Sequence, residues 1–159
     1  MFKEMRRKNQ QLSKSEAEEV LRRCSSGVLA VHGNDGYPYG VPLSYSYENG
    51  EVYFHCALEG HKLDAIRENE KVSFCVIDRD EVSPSEFTTV YRSVIVFGKA
   101  EIVSDEGERM QAFRSLIDKY SKGYEKEGEI EIKNTGKMAG IVKITIDHIT
   151  GKAEKRLIK

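Results

Sequence analysis

"GVLAVHGNDGYPYGVPLSYSYENGEVYFHCA", residues 27–57, decides the fold. Two turn signals divide it, Asn34-Asp35-Gly36 and Glu48-Asn49-Gly50, because Asn and Gly accept positive φ at little cost. Between the turns, Tyr39, Val41, Leu43, Tyr45 and Tyr47 alternate with Gly40, Pro42, Ser44 and Ser46. A period of two belongs to a strand, here with one bulky face and one small-residue face. The stretch therefore reads as a three-strand antiparallel meander near 27–32, 38–47 and 51–57.

Upstream, Ser13-Lys14-Ser15-Glu16 has capping-box spacing, and Val20 and Leu21 give the helix it opens an apolar side as far as about Cys24. Downstream, a short helix is expected over 61–68, followed by "KVSFCVID" (71–78), apolar on both faces and so a central strand. "RDEVSPSEF" (79–87) reads as a polar loop, and "TTVYRSVIVFGKAEIV" (88–103) as the longest strand. Ser104 is placed to cap a helix whose stripe is Met110, Phe113, Leu116, Ile117 and Tyr120. "SKGYEKEGEIEIKNTGK" (121–137), charged and glycine-bearing, reads as an irregular connection or flap, and "AGIVKITIDHIT" (139–150) as the last strand. Six strands with mostly short connections predict a mainly β fold with peripheral helices, an antiparallel Greek-key barrel whose closure removes sticky edges. No linker or repeat divides the chain, so residues 1–159 are read as one domain with 1–12 as an N-terminal extension.

Composition excludes several classes. Lys+Arg total 25 against 26 Asp+Glu, a formal net charge of −1, so no overall field favours nucleic acid or a membrane surface. No apolar run approaches the roughly 20 residues of a membrane helix. The start, MFKEMRRKNQQ, has no apolar h-region, and a cytoplasmic protein is expected. Cys24, Cys56 and Cys75 form no C-x-x-C pair, which argues for small buried hydrophobes over a zinc cage or a disulfide framework. His55 and His61 lack neighbouring acidic or thiol ligands, and no metal site is expected.

Two features carry chemistry. Gly60-His61-Lys62 opens the short helix, where unpaired N–H groups, the positive helix end and a lysine suit an anion such as phosphate; the plainer reading is a helix start with a solvated lysine. His55 shares its strand face with Tyr53 and Ala57, while Cys56 faces the other way, so the two form no nucleophile–base dyad. His55 is either a satisfied structural histidine or a proton donor beside a ligand. Arg92, inside the longest strand, either faces solvent, pairs with an acid or reaches a cofactor.

"GYPYGVPLSY", "VYFHCALEGHKLDAI", "KVSFCVI", "TTVYRSVIVFGKAEIV" and "ITIDHITGKA", in this order and spacing, resemble the pyridoxamine 5′-phosphate oxidase-like split-barrel superfamily, and within it the branch related to nitroimidazole-resistance proteins. The resemblance implies a six-stranded split β-barrel and a homodimer with FMN in clefts between the subunits. It implies that His61 and Lys62 grip the FMN phosphate while Gly60 allows close backbone approach. His61 stands where the family often has arginine, which gives up a bidentate fork. Phe54, His55, Cys56 and Ala57 match the strand passing along the flavin, and Pro42, Leu43 and Ser44 the strand edge at the ring's polar rim. Ser93 matches the strand lining the dimer cleft. The implied activity is an oxidoreductase acting on a small nitro- or carbonyl-type acceptor near His55. NAD(P)H would then bind transiently, since no G-x-G-x-x-G fingerprint is present. No second phosphate-binding cluster is evident for the parent pyridoxamine-phosphate reaction. The rival classes are a flavin carrier or sensor without turnover and a haem-binding split-barrel protein.

Overall fold

The computed structural model describes residues 1–158. In chain order its main elements are α1 (Lys14–Arg23), β1 (Gly27–His32), β2 (Pro38–Leu43), β3 (Ser46–Glu48), β4 (Glu51–Ala57), α2 (His61–Glu68), β5 (Lys71–Ser83), β6 (Thr88–Ile102), α3 (Glu106–Tyr120), α4 (Glu125–Thr135) and β7 (Ala139–Ala153). All strand pairings are antiparallel and form a single sheet in the order β2-β1-β5-β6-β7-β4-β3. The fold is mainly β, as expected. No helix among the described residues is long and apolar enough to cross a membrane.

The strand count is seven, not six, and the pairings do not close the sheet. The expected strand 38–47 breaks at Ser44-Tyr45, where the chain leaves β1 as a partner and joins β4. β2 and β3 are thus opposite edges of the sheet, yet three virtual bonds of about 3.8 Å join Leu43 to Ser46. The sheet must curl until its two edges nearly meet, without pairing. Pro42 suits such an edge because it has no N–H to donate. Asn49 (φ 51°) and Gly50 (φ 83°) then turn the chain from β3 into β4.

The curled sheet encloses the core. Leu29, Phe54, Phe74, Val76, Val94, Val142 and Ile144 point inward and are fully buried, and Leu21 of α1 and Leu63 of α2 join the same core. The capping box of α1 forms as expected, with Ser13 Oγ accepting from Glu16 N at 3.3 Å and Glu16 accepting from Ser13 N at 2.8 Å. A second apolar cluster, Tyr53, Phe113, Leu116, Ile132 and Ile141, lies outside β4 and β7 beneath α3 and α4.

Three further boundaries differ from expectation. β5 continues to Ser83, so the polar stretch after Asp78 belongs to a long hairpin with β6, with a bulge between Ile77 and Arg79. The cap of α3 is Asp105, not Ser104, its carboxylate accepting from Glu108 N at 2.8 Å. Residues 125–135, expected to be irregular, form α4. Gly128 there lies so near Ile117 that an added Cβ would stand 2.6 Å from its Cδ1, which sets the close approach of the two helices.

Candidate functional site

A cavity of about 680 Å³ opens between the end of the curled sheet and the α3–α4 pair. Ser44, just past β2, and His55, on the outer face of β4, line it from the sheet. Phe113, Leu116, Ile117 and Tyr120 line it from α3, and Tyr124, Glu127, Glu131 and Ile132 from α4 and its approach. His55 is exposed, with no hydrogen-bond partner among the described residues, so its imidazole is free to meet a ligand. Its neighbour Cys56 faces the core, and burial pushes that thiol's pKa up against the pull of the nearby Lys62 charge.

The Gly60-His61-Lys62 corner lies outside that cavity. Gly60 takes φ 135°, a conformation that favours glycine, and an added Cβ there would meet nothing within 4 Å, so the corner is open. Its carbonyl accepts from Leu63 and Asp64 at 2.9 and 3.1 Å, starting α2 without a side-chain cap. The exposed His61 ring stacks on Tyr39 at 4.4 Å between centroids, and Lys62 is half-buried.

The remaining expected residues are spread over two surfaces. Phe54 is 0% exposed as a whole residue and paired with Val142 inside the sheet, so neither its side chain nor its backbone is open to a ligand, contrary to the expectation. Leu43 packs against the core, while Ala57, at the end of β4, is exposed. Pro42 and Ser93 lie on the sheet's outer face, where Pro42, Val28, Cys75 and Ile95 are aligned across four strands and Ser93 stands opposite Ile77. Val28, Ile77 and Ile95 remain exposed there, Ile77 at 64%.

A family model described as pyridoxamine 5′-phosphate oxidase matches residues 13–153. The chain belongs to this family. No curated protein matches it. Among solved structures, a candidate 5-nitroimidazole antibiotic resistance protein from Bacteroides thetaiotaomicron superposes with a TM-score of 0.73 at 21% identity, over 89% of this chain and 85% of that one. An FAD-binding protein from Mesorhizobium loti gives 0.66 at 27% identity, over 91% and 96%. An FAD- and haem-binding protein from Mycobacterium smegmatis gives 0.79 at 22% identity, over 92% and 74%. Flavin binding thus recurs among the solved neighbours of this pyridoxamine 5′-phosphate oxidase family member.

The oxidase-family sheet also resolves Arg92. Asp78, at the β5 bulge, receives Arg23 Nε and Nη2 at 2.8 and 2.7 Å, and Arg92 Nε stands 3.4 Å away as an ion pair without hydrogen-bond alignment. These cations hold the Asp78 carboxyl below its usual range, Arg23 foremost. Cys24 donates to the same carboxylate at 3.4 Å, and burial pushes its thiol up to about 11. Arg92 is therefore a structural partner. The sequence offers the 122–137 run as a solvated connection or a cover over a ligand but singles out none of its residues, although Tyr124, Gly128 and Ile132 recur every four residues as one helical face.

Proposed function

We propose that this chain binds FMN and reduces a small nitro- or carbonyl-type acceptor. What carries the reading is a division of charge between two places. Among the described residues the only formally charged groups lining the cavity are two carboxylates, so the cavity repels a phosphate and suits an uncharged ring. His61 and Lys62 stand apart from it, at an open glycine corner where an anion meets two basic side chains and a helix start.

The residues fit the group in kind. Lys62 and His61 would hold the phosphate, and the exposed small residues Gly40 and Pro42 of the edge strand β2 would face the ring. FMN when bound supplies the electron and hydride chemistry. The chain's own part is to exclude water with the α3–α4 wall, to orient an acceptor against Ser44, and to offer a proton from the unpaired His55 imidazole. The absence of a cation in the cavity argues against pyridoxamine phosphate itself as substrate. The uncovered face of β2, β1, β5 and β6 suits a second copy, giving a homodimer with flavin between the subunits.

Absorbance of the purified protein and mass spectrometry of the released small molecule test the reading. Oxidised flavin bands with FMN released, bleached by anaerobic NADH or NADPH and recovered on adding a nitroaromatic, are expected. A colourless protein that takes up no FMN, or a Soret band alone, would overturn it; flavin without bleaching by any donor would indicate a carrier.

A further inference from the structure

The cavity's charge pattern goes further than the flavin reading, and the substrate class drawn from it rests on that reading. Glu127 and Glu131 border the space from α4. The last turn of α3, Leu116 to Tyr120, borders it too, so the negative end of that helix faces the same space. Tyr120 and Tyr124 add aromatic faces, which attract cations.

Among the described residues no lysine or arginine lines the cavity. The Lys119 ammonium does not line the cavity but sits 3.9 Å over the Tyr45 ring and 5.4 Å from the Tyr120 ring, so of the two phenol rings Tyr124 is the one without a cation of the chain over it. Arg114 is paired with Glu129 at 2.5 and 3.1 Å, and Arg109 donates to the carbonyls of Gly136 and Ala139 at 3.0 and 3.2 Å. Lys122 and Lys126 are exposed and outside the lining. The first turn of α4, with Tyr124 and Glu127, borders the same space and its positive end offsets the α3 terminus, so the two carboxylates and the Tyr124 ring set the sign of the lining.

We propose that this cavity selects a planar aromatic acceptor bearing a positive charge, such as an ammonium-substituted ring, over its anionic analogue. Three probes of one shape test it: 4-nitrobenzylamine, 4-nitrobenzyl alcohol and 4-nitrobenzoate, titrated calorimetrically into the full-length protein before and after FMN addition. The amine is expected to bind on the order of tenfold more tightly than the benzoate, with the alcohol between them. In Glu127→Gln/Glu131→Gln the three should converge to within about twofold, and in wild type the spread should shrink as salt is raised. Equal affinities in wild type, an undiminished spread in the double variant, or no binding by any probe overturns the proposal. Failure to take up FMN with the order intact overturns the flavin reading and upholds the charge selection; FMN uptake without the order does the reverse.

Discussion

The Tyr120 hydroxyl is fastened to the backbone of Tyr45 from both sides. It accepts from Tyr45 N at 2.9 Å and lies 2.8 Å from Tyr45 O, with Ser25 O at 2.6 Å. A phenol has one proton, so it donates to one carbonyl at a time while accepting the N–H. This is the place where the chain crosses between the two unpaired edges, and the hydroxyl stands in for the ladder bonds missing there. It also ties the end of α3 to Ser44, on the wall of the cavity.

Tyr120→Phe removes that link while keeping the ring. A partly buried N–H loses its acceptor, so stability should fall by about 1–2 kcal/mol. Denaturant unfolding measures it. A change below a few tenths of a kcal/mol would mean that packing alone holds the crossing.

The crossing also shows how the sequence conceals one feature while displaying another. The alternation from Tyr39 to Tyr47 keeps its parity through Ser44-Tyr45, so nothing in the pattern marks the exchange of partner from β1 to β4. Periodicity reports which way a side chain points, not what its strand pairs with. The sequence does not display the β5–β6 hairpin beyond Asp78 for a related reason. Its tip is exposed on both faces, with Phe87 97% exposed, so polar residues carry no burial signal there. α4 was hidden by its charges, since Glu125, Glu127, Glu129 and Glu131 read as a solvated run while the Tyr124-Gly128-Ile132 stripe faces α3. The two turns, the placing of α2 and the opposite faces of His55 and Cys56 are legible, because local turn chemistry and parity decide them, whereas the expected meander is broken at Ser44-Tyr45.

Asp78→Asn should cost about 1–3 kcal/mol by neutralising the acceptor shared by Arg23 and Arg92, and chemical denaturation measures the loss. The variant also tests the pH dependence. The folded Asp78 pKa lies below its unfolded value, so its stabilisation is present above the unfolded pKa of about 4 and is lost as pH falls through the lower folded value. The gap between wild type and variant should therefore narrow on acidification, and a gap constant down to about pH 2 would contradict the assignment.

Lys119 acts with the opposite sign. Its buried ammonium has no hydrogen-bond partner, and burial draws its pKa down to about 8. The unfolded chain then holds a proton that the folded chain releases between about pH 8 and about pH 10, so this group adds stability as pH rises through that window. Lys119→Met should remove the rise, so the stability of wild type minus variant grows from about pH 7.5 to about pH 9.5 in matched melts. The contact with the Tyr45 ring softens the low-pH penalty, and a flat difference would show that it cancels the penalty altogether.

Ile95 sits at 40% exposure in the apolar row Pro42–Val28–Cys75–Ile95 on the uncovered sheet face. β5 is apolar on both faces although only one is covered within the chain, which is the pattern of a strand that a second subunit finishes burying. Wild type should sediment as a dimer and Ile95→Glu as a folded monomer, because a charge opposite its own copy in an apolar interface lacks a partner. A monomeric wild type would remove the homodimer from the proposed function.

Lys62→Ala tests the phosphate seat apart from the fold. The side chain is half-buried at an open corner and forms no ion pair among the described residues, so its loss should leave the melting temperature nearly unchanged. A charge-assisted contact to phosphate is worth roughly 1.5–3 kcal/mol, which corresponds to about a 10- to 150-fold weaker FMN dissociation constant. Riboflavin, which lacks the phosphate, separates this contact from contacts to the ring: its affinity should be equal in wild type and variant. If FMN and riboflavin weaken together, Lys62 supports the ring or the corner's shape instead, and the phosphate must be held elsewhere.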